Sequence, residues 1–267
     1  MMRKFLAFYK VAISDALVYR ATGFIWMLND IGPAMVALFF WLAVFKTHVT
    51  IGGYTVASIV FYYFGVMLIN SLVATHPQYI LSDEIRTGAF SNYLVKPINL
   101  AVFKIASAIS WRTVRVLFFL PAILILWWLF SSALQGLSFS ALNLCLFAVS
   151  LIAAFLINFF IKMILGLTTI WFTESGWLFN SFNIISGLFS GELIPLDLLP
   201  QTLLAINNWL PFKYMLYFPL SLILNRVNQT SELIGGLLLE CFWVIFFYWL
   251  YRQVLKRGIK NYCAYGG

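Results

Sequence analysis

Between residues 141 and 187 the chain carries only two charged side chains, Lys162 and Glu174. A bilayer core takes about 20 apolar residues per crossing, so this run is too long for one crossing and too poor in polar residues for a loop. Similar apolar stretches recur at 21–45, 54–75, 101–130 and 233–251. Across the chain 63% of residues are hydrophobic and 10% charged, whereas soluble domains hold roughly half and a quarter, so the class is a polytopic membrane protein. Lys162 is the only basic residue of 141–187 and divides it into crossings at 141–161 and 163–187, joined by a tight cytoplasmic turn. The expected fold is therefore a single all-α transmembrane domain of six helices.

Six crossings leave both termini on one face. Fourteen of the seventeen Lys and Arg residues then share that face, and only Lys46, Lys213 and Arg226 lie opposite, which places both termini in the cytoplasm. The net charge of +8 is thus an orientation signal rather than an affinity for nucleic acid. Residues 1–20 put Phe5, Phe8, Tyr9, Ala12, Ile13 and Ala16 on one helical face, as an interfacial helix on the cytoplasmic leaflet would. A plain extension of the first span is the alternative. Arg3 and Lys4 are followed by no compact apolar run with a small-residue cleavage site, so no cleavage is expected.

Two segments break the apolar pattern. The first, 81–104, carries Asp83, Glu84, Arg86, Lys96 and Lys104, and must leave the hydrocarbon because lipid cannot satisfy its charges. Ser82 followed by Asp83 and Glu84 reads as a capped helix start, and Phe90, Tyr93 and Leu94 give that short cytoplasmic helix an apolar stripe. The second, 188–231, has Pro195, Pro200, Pro211 and Pro219 between short apolar runs. Such runs are too short to span and too apolar for water, so the segment reads as a re-entrant hairpin dipping into the outer leaflet between spans five and six.

No phosphate-cradling GxxxxGK[ST] occurs, and no cluster of His, Cys and acids has metal-ligand spacing. Cys145, Cys241 and Cys263 lie far apart, as apolar fillers or free thiols do. No catalytic residue, metal or bound cofactor is expected, and the chain does not itself split ATP. The informative polar groups are Asp30, Glu174 and Glu240, which fall inside apolar spans where ionisable groups are costly. Counted from the nearest basic residue at about 1.5 Å per residue, all three stand about 15–18 Å deep, compatible with one acidic belt around a central cavity. Acids used only for packing and interhelical hydrogen bonds would show the same pattern. Arg112 and Arg115, one turn apart on the third span, either snorkel to lipid phosphates or pair with a buried acid.

Three stretches carry a resemblance. They are Glu84-Ile85-Arg86-Thr87-Gly88-Ala89-Phe90 with Leu94-Val95-Lys96-Pro97-Ile98, then Trp171-Phe172-Thr173-Glu174, then Gly191-Glu192-Leu193-Ile194-Pro195-Leu196 with Leu199-Pro200 and Leu210-Pro211-Phe212. In this order, across nearly the whole chain, they resemble the membrane subunit of a bacterial ABC-2 type exporter. That resemblance implies a multi-pass permease of the bacterial inner membrane, dimeric with a second copy or a related permease, above two cytoplasmic ABC ATPases that bind ATP and Mg. It places a coupling helix on 82–93, with Asp83, Glu84, Arg86, Phe90 and Tyr93 as ATPase contacts. It places the outer gate on 191–217, with Glu192, Pro195, Pro200 and Pro211. The implied function is ATP-driven export of a drug, lipid or glycoconjugate; the translocation path is expected at Asp30, Glu174 and Glu240 from their depth in the spans. Two rivals remain open: a proton-coupled secondary transporter using Asp30, Glu174 and Glu240, and a polytopic scaffold without transport.

Overall fold

A computed structural model describes residues 2–96, 98–129, 141–172, 174–224, 226 and 230–262, and within these every regular element is helical. Helices α1 (Met2–Val18) and α2 (Arg20–Val44) follow one another across Tyr19. Next comes α3 (Val56–Val73), started by a reciprocal cap in which Ser58 N donates to Thr55 Oγ1 and Thr55 N donates to Ser58 Oγ. Helices α6 (Leu100–Leu129), α7 (Ala141–Leu167) and α12 (Thr230–Asn261) are the other long ones. Segments 56–86, 141–170 and 230–261 are long and apolar enough to cross a membrane among the described residues. Both α2 and α6 are of comparable length, 25 and 30 residues, and with α3 they begin and end within two residues of the expected spans.

At the centre stands α7, flanked by α3, α12 and two helices of the polar interruption and the outer segment. Its length overturns the division expected at Lys162. The helix runs unbroken through that residue, which is 5% exposed, and continues to Leu167 before a short 3-10 turn. The break falls instead after the 3-10 turn that ends at Ile170, ahead of α8 (Gly176–Phe189). An apolar environment rewards closed backbone hydrogen bonds, so one lysine does not end a helix whose neighbours all favour it. At 14 residues α8 is about 21 Å long, shorter than the roughly 30 Å hydrocarbon layer.

The polar interruption also differs from expectation. Its first helix, α4 (Pro77–Arg86), starts five residues before Ser82 because Pro77, lacking an amide proton, is suited to a first turn. Ser82 is then a buried mid-helix residue rather than a cap. Gly88, at φ +78°, turns the chain, and the separate α5 (Ser91–Val95) follows. Helix α4 packs closely on α7: a methyl group added to Gly166 would stand 3.0 Å from Gln78 Cα and 3.1 Å from Leu81 Cβ. Thr169 Oγ1 donates to Ser82 Oγ at 3.0 Å and lies 2.7 Å from Ser175 Oγ, so buried hydroxyls tie α4 to the break before α8.

In the outer segment each of three prolines begins a short element. Pro195 precedes a 3-10 turn, Pro200 precedes α9 (Gln201–Asn207) and Pro211 precedes α10 (Phe212–Met215). The following α11 (Tyr217–Ile223) is almost wholly buried against α7 and α3. By contrast, α12 presents Leu238, Phe242, Ile245 and Trp249 as an exposed apolar stripe at helical spacing, 54–68% exposed.

Candidate functional site

The interior holds a polar cavity of about 400 Å³ where α2, α3, α7, α8 and the outer segment meet. Asn158 and Lys162, one turn apart on α7, supply one wall, and both are nearly buried. Asn158 lies nine residues before the end of α7, about 14 Å along the helix. Its Oδ1 is buried with no hydrogen-bond partner among the described residues. A buried acceptor left unmet costs about 1–3 kcal/mol, so it is a natural docking point for a donor group.

Opposite, Asn70 Nδ2 donates to Glu192 Oε1 at 2.9 Å. Asn70 stands fourteen residues along α3, about 21 Å from its first residue. Glu192, which the resemblance places in the gate region, is a half-buried carboxylate on this cavity. Tyr62 and Tyr63 hold this segment against α3 by donating to the carbonyls of Gly191 and Leu193, at 2.5 and 2.7 Å. Asn29 adds a further acceptor, since Pro33, one turn on, has no amide to give to the Asn29 carbonyl. Asn183, Ser186 and Ser190 complete the polar lining from the α8 side. Donors and acceptors are thus arranged around a void inside an apolar body.

Of the three acids of the expected belt, Glu174 and Glu240 can be placed. Glu174 is an exposed residue outside the helices, between α7 and α8. A depth counted from Lys162 misplaces it, because Lys162 itself lies inside α7. Glu240 is 1% exposed and accepts from Ser150 Oγ at 2.7 Å, so it spends its carboxylate on an α7–α12 contact. The side chain of Asp30 lies outside the described residues, as do Pro97 and Thr173 of the resembling stretches. Among the described residues no hydrogen bond joins Glu174 to Glu240.

On the polar face, Phe90 is fully buried, 5.1 Å between ring centroids from Tyr262, rather than displayed. Glu84 takes the Lys104 ammonium on both oxygens, at 2.7 and 2.6 Å, and the Tyr93 hydroxyl at 2.8 Å. The exposed groups include Asp83, Arg86, Leu94, Val95 and Lys96, with Val95 85% exposed. Nearby, an open groove of about 650 Å³ runs between α5, the start of α6 and the end of α12.

Sequence reasoning missed a clamp at the N-terminal end of α3. Asp197 accepts from Tyr54, Tyr217 and Arg226, at 2.7 Å from Tyr54 and 2.5 Å from Arg226. The Arg226 guanidinium also lies 3.8 Å from the Tyr54 ring centroid. Burial, with the Asp197 carboxylate beside it, holds the Tyr54 phenol well above its usual range, so it acts as a donor. These residues are far apart in sequence, and no spacing rule brings them together.

A family model described as ABC-2 family transporter protein matches residues 31–266. The chain belongs to that family. It is a multi-pass membrane protein and the permease component of an ABC transporter, which associates with an ABC ATPase. No curated protein matches the chain.

Proposed function

We propose that this ABC-2 permease exports an amphipathic cargo, a drug, lipid or glycoconjugate, from the bacterial inner membrane, driven by two separate ATPase subunits that bind ATP and Mg. The observation that carries this reading is the hydrogen-bonding cavity around Asn158, Lys162 and Glu192, which is partly open to the surface of the chain. A second permease, identical or related, would close that opening and complete a path. The exposed apolar stripe of α12 suits either lipid or such a partner.

Six crossings with both termini cytoplasmic remain the best topology, with the short α8 as the fifth and the outer segment folded back into the leaflet. The charge bias of fourteen against three supports that orientation. Segment 77–96 would receive the ATPase stroke. Because α4 is locked to α7 through Gly166 and the Ser82–Thr169–Ser175 hydroxyls, and to α6 through Glu84, a push on it moves several helices together. Leu94 and Val95, not the buried Phe90, would be the apolar anchors, with Asp83 and Arg86 beside them.

Copurification tests the reading. The tagged permease should bring an ATPase out of its native membrane, and Val95→Asp should release it while leaving the permease inserted. An ATPase retained by Val95→Asp with normal coupling would refute the assigned anchor, and no ATPase with the wild type would refute the function.

A further inference from the structure

The open groove between α5, the start of α6 and the end of α12 shares no lining residue with the cavity of the candidate site. Its volume of about 650 Å³ is in the range that encloses a drug-sized molecule. Tyr248, Tyr251, Arg252, Leu255, Lys256 and Ile259 line it from one face of α12. Phe160 of α7 backs them, with ring centroids 5.3 Å from Tyr248 and 5.6 Å from Tyr251. Tyr251 is 1% exposed, yet its hydroxyl has no hydrogen-bond partner among the described residues. Leaving a buried donor unmet is costly, so it marks a place for an acceptor.

The charge of the lining is positive. No Asp or Glu lines the groove among the described residues. Glu84, which accepts from Tyr93 of the lining, is already matched by Lys104. Arg252 Nη1 donates to the Tyr248 hydroxyl at 3.4 Å, and neither Arg252 nor Lys256 joins an ion pair among the described residues. These two exposed cations also end the apolar stripe of α12. Leu238, Phe242, Ile245, Trp249, Arg252 and Lys256 follow one another at steps of four and three residues, so they lie on one line along the helix. From Leu238 to Trp249 is about 17 Å, close to half of the roughly 30 Å hydrocarbon layer. Arg252, Lys256, Arg257 and Lys260 all fall within the last ten residues of α12, so this end of the helix leaves the hydrocarbon.

We propose that the end of α12 binds an anionic phospholipid, with its phosphate on Arg252 and Lys256 and an acyl chain along the apolar stripe. Guanidinium and ammonium groups at the end of a membrane span are suited to lipid phosphate, and the stripe above them has the length of one leaflet. The groove takes the region between head and chain, where the Tyr251 hydroxyl offers a donor to an ester or phosphate oxygen. A soluble partner would meet the two cations but not the stripe inside the membrane, and a free phosphate ion would leave the aromatic floor bare. Tyr93 and Leu94 of α5 line the same groove, so a bound lipid would brace the segment proposed to receive the ATPase stroke. That consequence rests on the export reading, and the assignment to the inner leaflet rests on the proposed orientation; the binding itself rests on neither.

Native mass spectrometry of the purified permease in a non-ionic detergent tests this without an ATPase or a transport assay, so its failure is separate from failure of the export reading. The probes are dioleoyl phosphatidylglycerol and dioleoyl phosphatidylcholine, which share their chains and differ in net charge. Preferential retention of phosphatidylglycerol by about tenfold is expected. Arg252→Gln combined with Lys256→Gln should remove most of that preference, and Arg252→Lys combined with Lys256→Arg should keep it. Ile259→Glu, at an exposed lining residue, adds an anion to the groove and should abolish the preference even if the first double variant folds poorly. Equal retention of the two lipids by the wild type, or an unchanged preference in folded Ile259→Glu, would overturn the proposal. Phosphatidylglycerol carried by monomers but absent from permease dimers would assign this face to the second permease and overturn it as well. Displacement of phosphatidylglycerol by glycerol phosphate alone would overturn the lipid as the occupant.

Discussion

Removing the Glu84 carboxylate should expose how much the polar face depends on one ion pair. Lys104 is 5% exposed and Glu84 19%, and the ammonium meets both carboxylate oxygens at 2.6–2.7 Å. Deleting one partner of a buried pair costs about 3–5 kcal/mol, because the surviving charge stays desolvated. Partial exposure of Glu84 argues for the lower end, and loss of the Tyr93 hydrogen bond adds about 1 kcal/mol. Glu84→Ala should therefore lose about 3 kcal/mol. Glu84→Gln combined with Lys104→Met keeps an acceptor for Tyr93 and an apolar stem on α6, and should return to within about 1 kcal/mol of the wild type. Unfolding in mixed micelles of rising dodecyl sulfate content, followed by the fluorescence of the ten tryptophans, measures both variants. A single variant within about 0.5 kcal/mol of wild type, or a double variant no better than the single, would refute the claim that this pair organises the face.

Other consequences are open to direct measurement. Gly166→Val should push α4 from α7 at a cost of about 1–3 kcal/mol and weaken ATPase coupling, read as hydrolysis no longer stimulated by cargo. Asn158→Leu fills the polar cavity with an apolar side chain and meets no lost partner at Oδ1, so it should preserve stability while lowering export; unchanged export would remove the cavity from the path. Asp197→Ala should cost about 2 kcal/mol by releasing Tyr54, Tyr217 and Arg226, seen as faster proteolysis of the outer segment. For topology, a cysteine at Gln201 should react with an impermeant reagent from outside and a reporter after Gly267 should be active only in its cytoplasmic form; labelling of Gln201 only after lysis would reject the six-span arrangement.

Composition and apolar run length were enough to establish an all-helical membrane protein, and to place α2, α3 and α6 within two residues. That succeeds because lipid leaves the backbone few alternatives, so hydrophobic length is nearly a direct measure of helix length. The ordered short motifs around Glu84, Trp171 and Gly191 likewise led to the right family before any fold was known. What failed was the reading of depth and exposure at single residues. Lys162 looked like a turn because it is charged, yet it sits inside α7 on the wall of a polar cavity that spares it the hydrocarbon. Phe90 looked exposed because its neighbours are polar, yet the turn at Gly88 carries its ring inward against Tyr262. For Glu192, which the resemblance put in the gate region, no partner was legible in the sequence, and the structure joins its segment to Tyr62, Tyr63 and Asn70 of α3. Periodicity reports which face of one helix is apolar, but not which neighbour covers it. Which groups meet at a site is decided by helix packing, through contacts more than a hundred residues apart in sequence, and only the tertiary structure supplies those.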